Sequence, residues 1–282
     1  MSRTLQQTKD IKVAARKGLP VQHGDLTFYP ILVEHYEEFM YCKDALTLRL
    51  SSLPVRYMSM DFFSAAFAME MDSKKDPEQK GIGIFPRLLL ILYLSLRIEI
   101  EEQDLANTIF YKTNGDEIAI DHITVTQNGR TVEINPFDFS TKIRPIIAEL
   151  NGLELPKEEE NSDLVRAYEE KKELTQNSNN LHIDVADLIA SVALHSHIRE
   201  REVDNWTIME FENRKRAIDR DKRYMIYAQA EMSGMVKFKN GNPAPSWCFD
   251  SLDETLGTKN LSEIGKGISE AEIGAKAPNE KT

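Results

Sequence analysis

Apolar residues along this chain recur at helical spacing, except in one stretch where they alternate. In "EHYEEFMYCKDALTLRL", Tyr36, Phe39, Met40, Leu46 and Leu50 keep near-helical spacing. This predicts a helix closed by Leu53-Pro54, since the residue before proline avoids the helical region. Ser59 is the expected N-cap of the next helix, "MDFFSAAFAMEM", with Asp61 in its first turn and Phe62, Phe63, Ala66 and Met69 on its buried face. "FPRLLLILYLSL" follows a charged connection over 72–81. It is apolar on nearly every side, Pro86 suits its first turn, and it reads as a buried helix. Its apolar run from Leu88 to Leu96 is far shorter than the roughly 20 residues that span a bilayer.

The period then changes. Over 108–134, Ile118/Ile120, Ile123/Val125 and Val132/Ile134 alternate with polar residues, and Asn-Gly pairs stand at 114–115 and 128–129. Asn-Gly supplies the two positive-φ positions of a tight hairpin turn. A three- or four-stranded antiparallel meander is therefore expected at about 108–135, apolar on one face and wet on the other. "LTFYPILV" (26–33) reads as a short strand or extended entry that Pro30 confines to an edge. "DFSTKIRPIIAELNGLELP" reads as a helix capped by Ser140 or Thr141 and stopped by Asn151-Gly152, with Pro145 in its first turn.

Helical spacing returns in the C-terminal half. "HIDVADLIASVALHSHI" places Ile183, Ala186, Ile189, Ala190 and Ala193 on one side. Thr207 opens a capping box, T-I-M-E, with Glu210 at its third position, and that helix should run to about Met232 and stop at Gly234. Phe211, Ile218, Met225 and Met232 repeat every seven residues along it. The expected fold is α+β: mostly helical, with a small antiparallel β-meander in the N-terminal half and a helical C-terminal half. The expected divisions are a basic flexible arm (1–20), an N-terminal α+β domain (21–153), a polar linker with room for one exposed helix (154–180), a C-terminal helical domain (181–250) and a flexible polar tail (251–282).

Charge narrows the function classes. There are 46 acidic against 35 basic residues, a net charge of −11, so a broad nucleic-acid-binding face is not expected. Two isolated cysteines, Cys42 and Cys248, suit a reduced cytosolic setting and make no metal-ligand spacing. Arg3, Lys9, Lys12, Arg16 and Lys17 lie in an N-terminal stretch with no apolar core, so no secretory signal is read there.

Candidate chemistry is sparse. His182, His195 and His197 invite a metal, but side chains at i and i+2 point apart on a regular helix, and no H-E-x-x-H pattern completes them. Asp116, Glu117, Asp121 and Glu133 on the meander loosely resemble the acids of a metal-dependent nuclease. Position 135 is Asn where that chemistry wants lysine, which favours solvated strand acids. "GIG" (81–83) lacks the later glycine and the lysine of a phosphate loop. Cys248, flanked by Pro245, Trp247 and Phe249, reads as a packed, unreactive thiol. No catalytic residue, cofactor or metal is expected.

Two features point to binding instead. The basic run "RKRAIDRDKR" (214–223) follows helix-turn-helix proportions, which makes Arg214, Lys215, Arg216 and Arg220 candidate phosphate contacts. Asp219 and Asp221 inside the run favour a salt-bridged wet face. Met209, Phe211, Met225, Met232, Met235 and Trp247 are candidate partner-binding residues, because flexible, polarisable methionine can accept varied apolar helices. The same stripe also reads as core. Trp247 and Phe249 are expected to fold back as a hydrophobic latch, so that Trp247→Ala would cost about 3–5 kcal/mol.

Five stretches carry a family resemblance: "LTFYPILVEHYEEFM", "LSSLPVRY", "IRPIIAELNGLELP", "VDNWTIMEFENRKRAI" and "YAQAEMSGMVKFKNGNPAPSW". Their order and content resemble the tail assembly chaperones of siphophages of Gram-positive hosts, over roughly residues 24–250. The resemblance implies a non-enzymatic factor that coats the apolar helices of a tape measure protein and recruits tail tube subunits. It implies action in the host cytoplasm, absence from the mature virion, and a longer product made by frameshifting, to which the polar residues 251–282 would be suited. Self-association around the client is open, and no membrane partner is expected. A helix-turn-helix-like nucleic-acid-binding regulator and a structural virion protein of tail-completion or connector type stand as alternatives.

Overall fold

The computed structural model describes residues 5–74, 83–99, 108–114, 117–156, 184–234, 238, 244 and 246–248. Two compact units divide the chain, Met1–Asn213 and Arg214–Thr282. The fold is α+β. In order it runs α1 (Leu5–Arg16), β1 (Val21–His23), β2 (Leu26–Phe28), α2 (Tyr36–Leu46), α3 (Val55–Met58), α4 (Phe62–Ser73), α5 (Ile84–Leu96), β3 (Ile109–Asn114), β4 (Glu117–Gln127) and β5 (Arg130–Ile134). It continues with α6 (Pro136–Asp138), a π-helical turn (Phe139–Ile143), α7 (Arg144–Leu150), α8 (Val185–Ser196), α9 (Glu200–Val203) and α10 (Ile208–Met232). Among the described residues no helix is long and apolar enough to cross a membrane. Most of the polar linker, the 251–282 tail, His182, Met235, Phe249 and Asp116 lie outside the described residues, as do the side chains of Glu117 and Ile118.

The N-terminal stretch is not a loose arm. It forms α1, with Ile11 and Ala15 buried and the helix packed on α7. These two residues are four apart and so share one face of a helix that also carries Lys9, Lys12 and Arg16. The amphipathic spacing decides the outcome, and Gly18 at φ +65 ends the helix.

Around α5 the core is built on apolar burial. This helix packs against α2, α4 and β2, with Leu88, Ile91 and Leu92 fully buried. Phe63 of α4 stacks on Phe139 at 4.1 Å and lies 5.2 Å from Phe85, which is edge-on to Phe67. Such aromatic pairs add about 0.5–1.5 kcal/mol each beyond their area. Arg144 is buried beside this cluster, 3.5 Å over the Phe62 ring. It donates to the carbonyls of Leu46 and Leu48 at 2.8 and 2.7 Å, so the charge is hydrogen-bonded at the end of α2.

Two caps differ from expectation. Asp61, not Ser59, accepts from the Phe63 and Ser64 amides and starts α4, because Ser59 is already spent as the closing residue of α3. Asn135, not Ser140 or Thr141, caps the helical run after the sheet by accepting from the Asp138 amide at 2.8 Å. Ser140 and Thr141 donate back to the carbonyls of Pro136 and Phe137 inside that run. Pro145 has no N–H to offer the preceding turn, and the π-helical turn sits just ahead of it.

The meander is three-stranded and antiparallel, in the order β3-β4-β5. Asn128 and Gly129 have φ of +52 and +77, as a type I′ turn requires. The register shifts between Phe110 and Tyr111, which pair with His122 and Ile120 and leave Asp121 as the extra residue of a β-bulge. The bulge turns Ile120 and Ile123 both inward, where they are buried with Val125 and Ile134.

Gln127 continues that inward phase and is 6% exposed. Its Oε1 accepts from the Thr27 amide, and its Nε2 donates to the carbonyls of Thr27 and Leu96, each at 2.8 Å. One side chain thus joins β2, β4 and the end of α5. Downstream, the Tyr29 amide donates to the Ser95 carbonyl at 2.7 Å and the Ile31 amide to Asn151 Oδ1 at 2.9 Å. The Val33 and Glu34 amides donate to the carbonyls of Trp206 and Asp204, and the Ile208 amide donates to the Ile31 carbonyl.

The second unit is simpler. Tyr227 meets Phe238 edge-on at 5.5 Å, and Arg220 Nε donates to the Trp247 carbonyl at 2.9 Å. Gly234 at φ +70 follows the end of α10 as expected. Trp247 is 61% exposed, so the proposed latch is absent: its backbone is held while Phe238 makes the aromatic contact on α10.

Gln127→Leu keeps the bulk and deletes all three bonds. Urea unfolding should show a loss of about 2–4 kcal/mol, because a buried polar group left unpaired costs about 1–3 kcal/mol. Thr126→Ala, on the exposed face, should stay within about 0.5 kcal/mol. An unchanged midpoint for Gln127→Leu would refute the bridging role.

Candidate functional site

Among the described residues the histidine and acid candidates do not converge. His195 lies in the last turn of α8 and His197 just beyond it at φ +58, and both are exposed. Among the described residues no group of three His, Cys, Asp or Glu side chains could hold a metal. On the sheet, Glu133 is exposed as expected, but Asp121 is not simply solvated. Lys112 Nζ donates to its Oδ1 at 2.5 Å, and His122 Nδ1 lies 3.0 Å from its Oδ2. The hydrogen bond from Lys112, then that from His122, holds the Asp121 carboxyl below its usual range. Phe110 stacks on His122 at 4.4 Å. The bulge makes this cluster by turning adjacent residues to one face. Its signal was present in the sequence: the apolar phase moves by one between Ile120 and Ile123.

The cysteines reverse one expectation. Cys42 is the buried thiol, and burial pushes it up to about 11. Cys248 is exposed, with Sγ 3.1 Å from Ser246 Oγ, because the flanking Trp247 ring does not cover it.

The binding candidates gather on α10. Thr207 Oγ1 accepts from the Glu210 amide at 3.1 Å and fixes the start of the helix. Phe211 is fully buried, 5.3 Å from the Tyr36 ring, and Tyr36 O–H donates to Glu212 at 2.8 Å. Burial raises the Tyr36 pKa, and the Glu212 hydrogen bond raises it further. Met209 packs against Gly152, where an added Cβ would meet its Cγ at 3.4 Å. Phe211 therefore belongs to the core of the first unit, and half-buried Met209 packs at its edge.

In the second unit the same helix behaves oppositely. Met225, Ile226 and Met232 are 50%, 62% and 88% exposed. Lys222, Met225, Ile226, Gln229 and Met232 are all exposed and fall at i, i+3, i+4, i+7 and i+10, which puts them on one stripe. The seven-residue repeat found Met225 and Met232 but missed Ile226, Gln229 and Lys222. Spacing of three and four from Met225 reaches Lys222 and Gln229, and Ile226 lies four residues beyond Lys222. Of the candidate phosphate contacts, Arg214 and Arg216 are exposed, Lys215 is half-buried and Arg220 is tied to Trp247. Arg223 pairs with Asp219 at 2.8 Å, as a salt-bridged face would have it.

No protein-family model, curated protein or solved structure matches the chain.

Titration with a disulfide reagent at mildly alkaline pH, below the raised Cys42 value, should modify one thiol quickly in the native protein and the second only in denaturant. Cys248→Ser should abolish the fast phase. Two fast thiols would contradict the burial of Cys42.

Proposed function

We propose that this chain is a non-enzymatic binding protein of phage tail morphogenesis, an assembly chaperone. It shields apolar helices of a tape measure protein and recruits tail tube subunits, working in the host cytoplasm and leaving before the virion is complete. The phage setting is supported by the sequence resemblance over roughly residues 24–250. The observation that carries the binding role is the exposed stripe of Met225, Ile226 and Met232 on α10.

A stripe of this kind suits transient capture of a helix. Burying one large apolar side chain completely is worth about 1.5–3 kcal/mol, so these three, 50%, 62% and 88% exposed, offer about 3–6 kcal/mol before any cost, to which the client's own apolar side chains add. Association alone costs at least about 4 kcal/mol. The remainder corresponds to weak binding, as a chaperone that must release its client requires. The methionines also adapt to different apolar sequences. A nucleic-acid-binding regulator is the second reading, favoured by the exposure of Arg214 and Arg216. It requires a mobility shift at low salt that disappears when both become alanine.

Co-expressed with a tape measure segment, the wild-type chain should keep that segment soluble and co-purify with it. Changing Met225 and Met232 together to Asp should cut recovery at least about tenfold, the equivalent of about 1.4 kcal/mol, with the melting temperature unchanged. Failure of the wild-type chain to co-purify, or undiminished recovery with the double variant, would overturn the chaperone reading. Stoichiometric detection in purified particles would support a structural virion protein instead.

A further inference from the structure

We propose that α1 of one copy of this chain docks on α2 of a second copy, through two oppositely charged stripes of equal length. On α1, Lys9, Lys12, Val13 and Arg16 stand at i, i+3, i+4 and i+7, turned away from buried Ile11 and Ala15. On α2, Glu37, Met40, Tyr41 and Asp44 repeat that spacing, opposite buried Phe39, Cys42 and Leu46. All of these stripe residues are exposed. Lys9, Lys12, Arg16, Glu37 and Asp44 have no ion pair among the described residues. Each stripe thus ends in charge and holds apolar groups between.

Lys9 to Arg16 and Glu37 to Asp44 each span about 10 Å at 1.5 Å per residue. Laid together in either direction, Lys9 and Arg16 meet Glu37 and Asp44, and Val13 meets Met40 and Tyr41. The bordering charges keep the same signs. Lys17 and Asp10 flank the α1 stripe. Glu38, Lys43 and Glu34, which His35 approaches at 3.7 Å, flank the α2 stripe, and Arg87 lies 5.5 Å over the Tyr41 ring. With these included, the α1 side has four Lys and Arg against one Asp, and the α2 side four Asp and Glu against two Lys and Arg. Docking α1 on α1, or α2 on α2, would set like charges face to face. A separate acidic or basic helix would fill one stripe and leave the other unmatched, whereas a second copy carries the complement of both. Nucleic acid would engage α1 alone. Membrane insertion would need the apolar face of α1, but Ile11 and Ala15 are already in the core. At physiological salt the screening length of about 8 Å suppresses repulsion between copies of net charge −11. Exposed ion pairs are individually weak, so the contact is reversible and salt-sensitive.

Sedimentation equilibrium of the full chain tests this, and its result is separate from the chaperone reading because the α10 stripe takes no part. At physiological salt the mass should rise with concentration above that of one copy. It should return to one copy at about 1 M salt, where the screening length is about 3 Å. Lys9→Glu with Arg16→Glu, and separately Glu37→Lys with Asp44→Lys, should each weaken association at least about tenfold with the melting temperature unchanged. An equimolar mixture of the two variants should associate again, because the reversed α1 of one faces the reversed α2 of the other. Should a reversal disturb the fold, Lys9→Gln with Arg16→Gln reads the same loss without adding charge. A wild-type mass of one copy at every concentration, association that survives either reversal, or a mixture that stays apart would overturn the proposal. Wild-type monomers that bind a mixed-sequence oligonucleotide through Lys9 and Arg16 would also overturn it and assign α1 to nucleic acid.

Discussion

The segment Thr27 to Glu34, extended as far as Leu32 and closed by a 3-10 turn at Val33–His35, is the constraint on which the first unit depends. Its Pro30 keeps it from serving as an ordinary internal strand, yet Phe28, Ile31 and Val33 must be buried. A dry backbone needs partners, and no single neighbouring strand supplies them here. Gln127 takes both polar groups of Thr27, Ser95 takes the Tyr29 amide, and Asn151 takes that of Ile31. The residues just before α10 complete the set through Asp204, Trp206 and Ile208. Sheet, buried helix, α7 and the start of α10 are thereby fixed to one strip of chain. Two buried amide side chains carry much of this, because an amide both donates and accepts as a backbone does.

The same arrangement defines where α10 changes character. Its opening residues are committed to that backbone set and to the Tyr36–Phe211 contact. Its later residues turn large apolar groups to water, against the usual ordering of an amphipathic helix. Single exposed apolar residues are common and mean little, but an adjoining set on one helical stripe is the pattern of a docking face. One seven-residue repeat therefore holds two physical roles, core at Phe211 and surface at Met225 and Met232.

Local chemistry was the legible part of the sequence. The Asn128-Gly129 turn, the Thr207 cap and the Gly234 stop each depend on a few adjacent residues, and each stands as read. The α1 helix is legible too, in the four-residue spacing of Ile11 and Ala15, although the basic residues around them are equally compatible with an unstructured arm. Where two residues were equally able, as with Ser59 and Asp61, the outcome was set by the neighbouring α3, which local propensity does not encode. The role of Gln127 follows only once the bulge fixes which way position 127 faces. Trp247 looked like a latch because it is large and apolar, but Phe238 holds the aromatic contact on α10. The exposed stripe was half visible, since a repeat of seven marks a line along a helix and says nothing about which part of that line is covered.

The proposed division of α10 into a packed opening and a docking stripe is tested most directly by the ε-methyl resonances of the methionines in the full-length protein. On addition of an amphipathic helical peptide, the Met225 and Met232 methyl signals should shift in proportion to binding, while that of Met209, packed on Gly152, stays in place. A shift of Met209 equal to the others, or no shift at Met225 and Met232, would contradict the account.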